Sequence, residues 1–157
     1  MKESVLLARR FREVILDGTW IANTNFKDQL EHMDWQLAHR KVQDLNTIAV
    51  LAQHIHYYIK GISQVLRGGG LEISDRYSFD FPPMTSAEQW KAFLATLWED
   101  AHSFAGLVAG MPDSKLRETF VKVQYGTYAR NIEGMIEHCY YHLGQVILIR
   151  KLLNRDQ

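Results

Sequence analysis

The scarcity and placement of proline most constrain what this chain can fold into. Proline occurs three times in 157 residues, and two of the three are the adjacent Pro82-Pro83. Long stretches free of both proline and glycine favour helices, because both residues punctuate regular structure. A first helix is expected over 3–16, ending at Asp17-Gly18, with Thr19 to Phe26 as a break or a shorter helical turn. A second is expected from Asp34 to Leu66, stopped by Gly68-Gly69-Gly70. The segment 71–85 reads as a loop. Ser86 with Gln89 at the capping-box position opens a third helix that ends near Gly110, before Met111-Pro112. A short turn around 113–125 leads to a last helix from Thr127 to Asn154. Four long helices with these connections predict an all-α, antiparallel four-helix bundle, with 1–157 as one domain.

Composition narrows the function. Eighteen basic residues balance eighteen acidic ones, so no net field recommends nucleic acid or an anionic membrane as a partner. No apolar run approaches the roughly 20 residues needed to span a bilayer. The start, MKESVLLARRFREVIL, lacks a signal-peptide apolar core, and the one cysteine, Cys139, has no internal partner. A cytoplasmic location is the expectation. Seven histidines are many for this length, and they are the first sign of chemistry.

At about 100° per residue, each histidine can be assigned to a helical face. On the second helix Thr47, Val50, Leu51, Tyr58, Ile62 and Val65 form one apolar arc with His54 at its centre. His56 falls on the side of Asn46, Gln53, Lys60 and Gln64, which faces water. The last helix is apolar around most of its circumference, and its narrow polar arc centres on Glu133, Glu137 and Lys151. His138 and His142 lie one turn apart on an inward stripe. Such a pair can ligate one metal from consecutive turns, with His54 as the third ligand from another helix. The alternative is that all three are hydrogen-bonded core residues, but the stripe around them supplies few polar partners.

Two familiar metal chemistries are excluded. A zinc-protease helix needs glutamate directly after the first histidine, where Cys139 stands. Di-iron bundles need Glu-x-x-His motifs, but Met135 and Cys139 precede His138 and His142 by three residues. A site rich in histidine and poor in carboxylate suits zinc, nickel, cobalt or ferrous iron better than magnesium or calcium.

LAQHIHYYIKGI on the second helix and IEHCYYHLGQVILIRKLL on the last resemble the two signature segments of the DinB/YfiT-like superfamily. The resemblance extends over nearly the whole chain, through the SFDFPP loop and the YGTYARNIEGMIEH lead-in. It is most specific in H-x-x-x-H-x-G-Q, present as His138, His142, Gly144 and Gln145. It implies a four-helix bundle of the DinB/YfiT type in which His54, His138 and His142 hold one divalent transition metal, with zinc or nickel foremost. It also implies a homodimer. Relatives transfer or isomerise small-molecule substrates with a low-molecular-weight thiol, and others are described as metal-dependent hydrolases or damage-inducible proteins.

Two neighbours of the site carry open readings. Gln145 either orients a ligand water or bonds the backbone. Tyr58 either donates its hydroxyl to a substrate or packs as a core tyrosine. Cys139 is expected to pack, and Gly144 to mark close approach of another helix. Trp20, Trp35, Trp90, Trp98 and Phe104 read as core, and Arg130-Asn131 as ordinary helix charges. The functional expectation is a metal-dependent transferase or hydrolase that activates a thiol or water. Its rival is a non-catalytic, stress-associated module that binds a metal or an apolar ligand.

Overall fold

The structure, a computed structural model, describes residues 1–155. Those residues are all-helical: α1 Glu3–Arg12, α2 Phe26–Leu30, α3 Trp35–His39, α4 Ile48–Leu66, α5 Ala87–Gly110, α6 Asp113–Leu116 and α7 Tyr128–Arg155. A π-helical turn, Glu13–Asp17, ends α1. The only β pairing among the described residues is one isolated bridge between Thr119 and Thr127. The long helices α1 and α4 each pack against both α5 and α7. One cluster of buried residues runs between them, from Leu7 on α1 to Leu153 on α7.

Local chemistry explains the boundaries. Ser4, Leu7, Ala8 and Phe11 form the buried stripe of α1, and Phe11 meets Phe104 of α5 with ring centroids 4.4 Å apart. The N-terminus of α1 is capped from a distance, because the Asp113 carboxylate accepts from the backbone amides of Glu3 and Ser4. On α5 the Ser86 hydroxyl accepts from the Gln89 amide, while the Gln89 side chain accepts from the Thr85 amide. This is the expected cap, shifted by one residue on the return bond. At the end of α4 the amides of Gly68 and Gly69 reach back to the carbonyls of Val65 and Gln64. Gly68 takes a left-handed φ of 92°, which makes the stop a Schellman motif.

The second helix does not start at Asp34. Asp34 caps only the short α3, the chain turns extended at Arg40, and Gln43 adopts a positive φ of 49°. Thr47 then caps α4 by accepting from the Val50 amide. Asp44, Asn46 and Thr47 favour caps and turns over helix interiors, so the segment 40–47 breaks without proline or glycine.

Two packing expectations also fail. Trp20 is 83% exposed, since it follows the turn at Asp17-Gly18 where no helix continues to carry it inward. The rest of that aromatic set is at least partly buried, and the Trp90 indole donates to the Met33 carbonyl. Gly144 marks no close approach. It sits on an exposed side of α7, and a Cβ built there would meet nothing within 4 Å.

Candidate metal centre

Three histidines from two helices meet at one point. The buried His54 of α4 and His142 of α7 face the half-buried His138 of α7, and their ligating nitrogens all lie within 4.8 Å of one another. Nε2 of His138 is 3.0 Å from Nε2 of His54 and 2.8 Å from Nε2 of His142. Nitrogen donors about 2.0–2.1 Å from one small cation would stand roughly 3 Å apart, so the two spacings at His138 fit such an ion.

The outer nitrogens decide what the inner ones can do. His54 Nδ1 donates to the carbonyl of Ser78 at 2.7 Å, and His142 Nδ1 donates to Oε1 of Gln145 at 2.6 Å. A neutral imidazole carries one N–H, so both rings turn bare Nε2 lone pairs toward His138. Nε2 of His138 has a single proton to offer two acceptors. The cluster is therefore a convergence of lone pairs that a cation satisfies and hydrogen bonding among the rings does not.

Electrostatics hold the cluster neutral. Burial lowers His54 below the ordinary histidine value, with the Ser78 hydrogen bond opposing, and burial does the same to His142. Burial, with the neighbouring His142 and His54, takes His138 down to about 4. Metal ligands must be deprotonated, and these three already are at neutral pH.

The loop 71–85 covers the centre, and α4 fixes it turn by turn. Gly61 leaves no room for a Cβ, because Ile73 occupies that space at 2.4 Å. One turn back, the Tyr57 hydroxyl accepts from the Ser74 amide and donates to the Ser74 carbonyl. The Tyr58 hydroxyl donates to Oδ1 of Asp75 at 2.6 Å. A further turn back, the ring of Phe79 stacks on His54 at 4.0 Å, beside the Ser78 carbonyl.

Tyr58 packs partly buried against the core, one of its two sequence readings, and takes on a role that neither reading named. Half-buried, it sets its ring edge-on to His54 and His138, about 5 Å from each, and its hydroxyl holds a carboxylate. Burial, then Asp75, pushes that hydroxyl up to about 12, so it stays a donor. Gln145 likewise takes a third role, since it holds a ligand ring rather than backbone. Asp75 itself was missed. Its charge acts on both His54 and His138. No spacing rule connects a loop aspartate to a helix seventeen residues away.

Cys139, beside His138 in sequence, is fully buried in the core, and burial pushes its thiol up. It packs, as expected. His56 does not face water. Its Nε2 meets Oδ2 of Asp100 at 2.6 Å, because α5 packs on that side of α4, and its ring lies edge-on to Phe93.

The fold and this centre define a class: an all-helical chain with a three-histidine candidate metal site beside a tyrosine–aspartate pair. No protein-family model, curated protein or solved structure matches the chain.

Proposed function

We propose that this protein is a metal-dependent enzyme of the DinB/YfiT-like type, an antiparallel four-helix bundle whose His54, His138 and His142 hold one zinc or nickel ion. The observation that carries the reading is the convergence of three Nε2 atoms, two of them fixed as lone-pair donors by Ser78 and Gln145. Three neutral nitrogens leave a position open for a thiol or a water, and a bound divalent ion lowers the pKa of either.

The chain's own residues supply the rest. Gln145 and the Ser78 carbonyl orient two ligand rings. Phe79 and Tyr58 limit the access of water to the rings that they cover. Tyr58 donates to Oδ1 of Asp75, which leaves the other carboxylate oxygen to take a proton from the thiol or water. A metal-bound thiol needs no further base, so a site without carboxylates would favour it over water. Asp75, whose charge acts on His54 and His138, supplies such a base and puts hydrolysis on equal footing.

The homodimer belongs to the same proposal. Tyr141 and Leu148 are 65% and 56% exposed on α7 with Gly144 between them, a face that a second copy would cover. Sedimentation is expected to give a dimer at micromolar concentration, and Tyr141→Glu a monomer.

Metal analysis of protein purified without chelator or affinity tag is expected to find one zinc or nickel per chain. Turnover of an electrophile by a thiol, or of an ester by water, is expected to be lost in His138→Ala. Stoichiometric metal without turnover across both panels would leave the non-catalytic module. No metal uptake at all would remove the centre.

A further inference from the structure

A cavity of about 390 Å³ opens on His138 from the N-terminal side of α7. Its walls are Tyr58 and Ile62 of α4, Tyr125 of the loop before α7, and Met135, with Arg130, Asn131 and Gly134 along its length. Arg130 is the one charged side chain in that lining, and every other wall is aromatic, aliphatic or neutral polar. Arg130 and Asn131, which look like ordinary helix surface in the sequence, therefore line a cavity that ends at a candidate metal ligand.

Three features suit the cavity to a ligand. Gly134 stands one turn before His138, and a Cβ there would meet nothing within 4 Å. A helix-interior glycine costs about 1 kcal/mol relative to alanine, and packing does not require this one, so it leaves free space beside His138. The wall is anchored: the Asn131 amide donates to the carbonyls of Tyr125 and Thr127, and Phe120 is buried beneath the loop. Finally, the Arg130 guanidinium is only lightly held. Its partner is Glu137, at 3.0 Å, in a pair whose side chains are 59% and 60% exposed. Such surface pairs contribute little, so an incoming anion displaces Glu137 at small cost. The pairing carries the guanidinium along α7 to about the level of His138, and because Glu137 lies outside this lining the guanidinium enters the cavity by swinging off it.

We infer that this cavity is the substrate pocket and that it takes a small carboxylic acid, its carboxylate paired with Arg130 and its apolar body between Tyr58 and Tyr125. A planar guanidinium matches a carboxylate in a two-bond fork. A single cation and apolar walls suit one carboxylate rather than a phosphate. That the far end of the molecule is the reacting end rests on the three-histidine centre being the reactive one.

Hexanoate and hexanol test the pocket by NMR-detected titration, with and without zinc. Hexanoate is expected to bind saturably and more tightly than hexanol. Arg130→Gln is expected to weaken hexanoate at least tenfold and leave hexanol unchanged. Glu137→Gln, which frees the guanidinium, is expected to tighten hexanoate. Gly134→Leu is expected to abolish binding of both, and Gly134→Ala to weaken both should the larger side chain disturb folding. Zinc uptake is expected to be unchanged in Arg130→Gln and Glu137→Gln. The inference is overturned if hexanoate binds no better than hexanol, or if Arg130→Gln changes its affinity less than twofold. Failure of the metal centre reads differently: no zinc uptake, with the dependence on Arg130 intact.

Discussion

Gln145 gives the sharpest single test of the centre, because its side chain touches a ligand and is not itself one. Its Oε1 fixes Nδ1–H of His142 at 2.6 Å, so the ring can offer only Nε2 inward. Gln145→Leu removes that acceptor while keeping a side chain suited to the neighbouring Leu51, Leu148 and Ile149. The lost hydrogen bond is worth about 0.5–1.5 kcal/mol, and the ring is also released to carry its proton on Nε2, where it cannot ligate. Loss of a partner that orients a ligand histidine typically weakens metal binding 10–100-fold, or about 1.4–2.7 kcal/mol. With zinc at a hundred times the wild-type Kd, the ion stabilises the wild-type chain by about 2.7 kcal/mol. The variant at the same zinc concentration keeps about 1.4 kcal/mol after a tenfold loss and about 0.4 after a hundredfold loss. At roughly 2–4 °C per kcal/mol, the zinc-dependent rise in Tm falls from about 5–11 °C to about 1–6 °C. Competition with a chromophoric chelator measures the affinity directly, and a melting scan with and without zinc checks it independently. Gln145→Glu, which keeps an acceptor on Nδ1, is expected to bind at least as tightly as wild type. A Gln145→Leu protein within twofold of the wild-type affinity refutes the role.

Acid should destabilise the metal-free protein in a defined window. His54, His56, His138 and His142 are all held below the ordinary 6.5 in the folded chain, so the unfolded chain binds more protons. The stability is complete above 6.5 and is lost as pH falls toward the value near 4 of His138; a urea midpoint that stays flat from pH 7 to 5 contradicts this. Asp100→Ala leaves Nε2 of His56 half-buried without its partner and is expected to cost about 1–2 kcal/mol in urea unfolding. Zinc affinity should not change, because His54 and His56 lie about 200° apart around α4. Cys139 should resist a thiol-reactive dye in the native protein and react at once in denaturant, and Cys139→Ala should leave metal uptake unchanged.

What the sequence disclosed about this centre, and what it withheld, follows from which geometry is periodic. His54, His138 and His142 lie on long helices, where a 100° step places a side chain on a face whatever the neighbours are, and the structure brings those three together. His56 shows the limit of the same rule. A polar flank reads as solvent, yet α5 brings Asp100 to it, and a period knows nothing of which helix packs where. The loop 71–85 has no period at all. Its position over His54 follows from Gly61 admitting Ile73, from Tyr57 and Tyr58 holding Ser74 and Asp75, and from Phe79 stacking on the imidazole. Each of those is a contact between residues far apart in the chain. Glycine gives the same lesson in small. Gly61, Gly134 and Gly144 all interrupt good helices, and a sequence tells only that a side chain is missing there. At Gly61 another segment fills the space, at Gly134 a cavity does, and at Gly144 the surface is open. The H-x-G-Q run thus carries its chemistry in Gln145 and not in its glycine, whereas the glycine that lines the approach to His138 is Gly134, one turn before that histidine, in a lead-in segment where nothing marks it out.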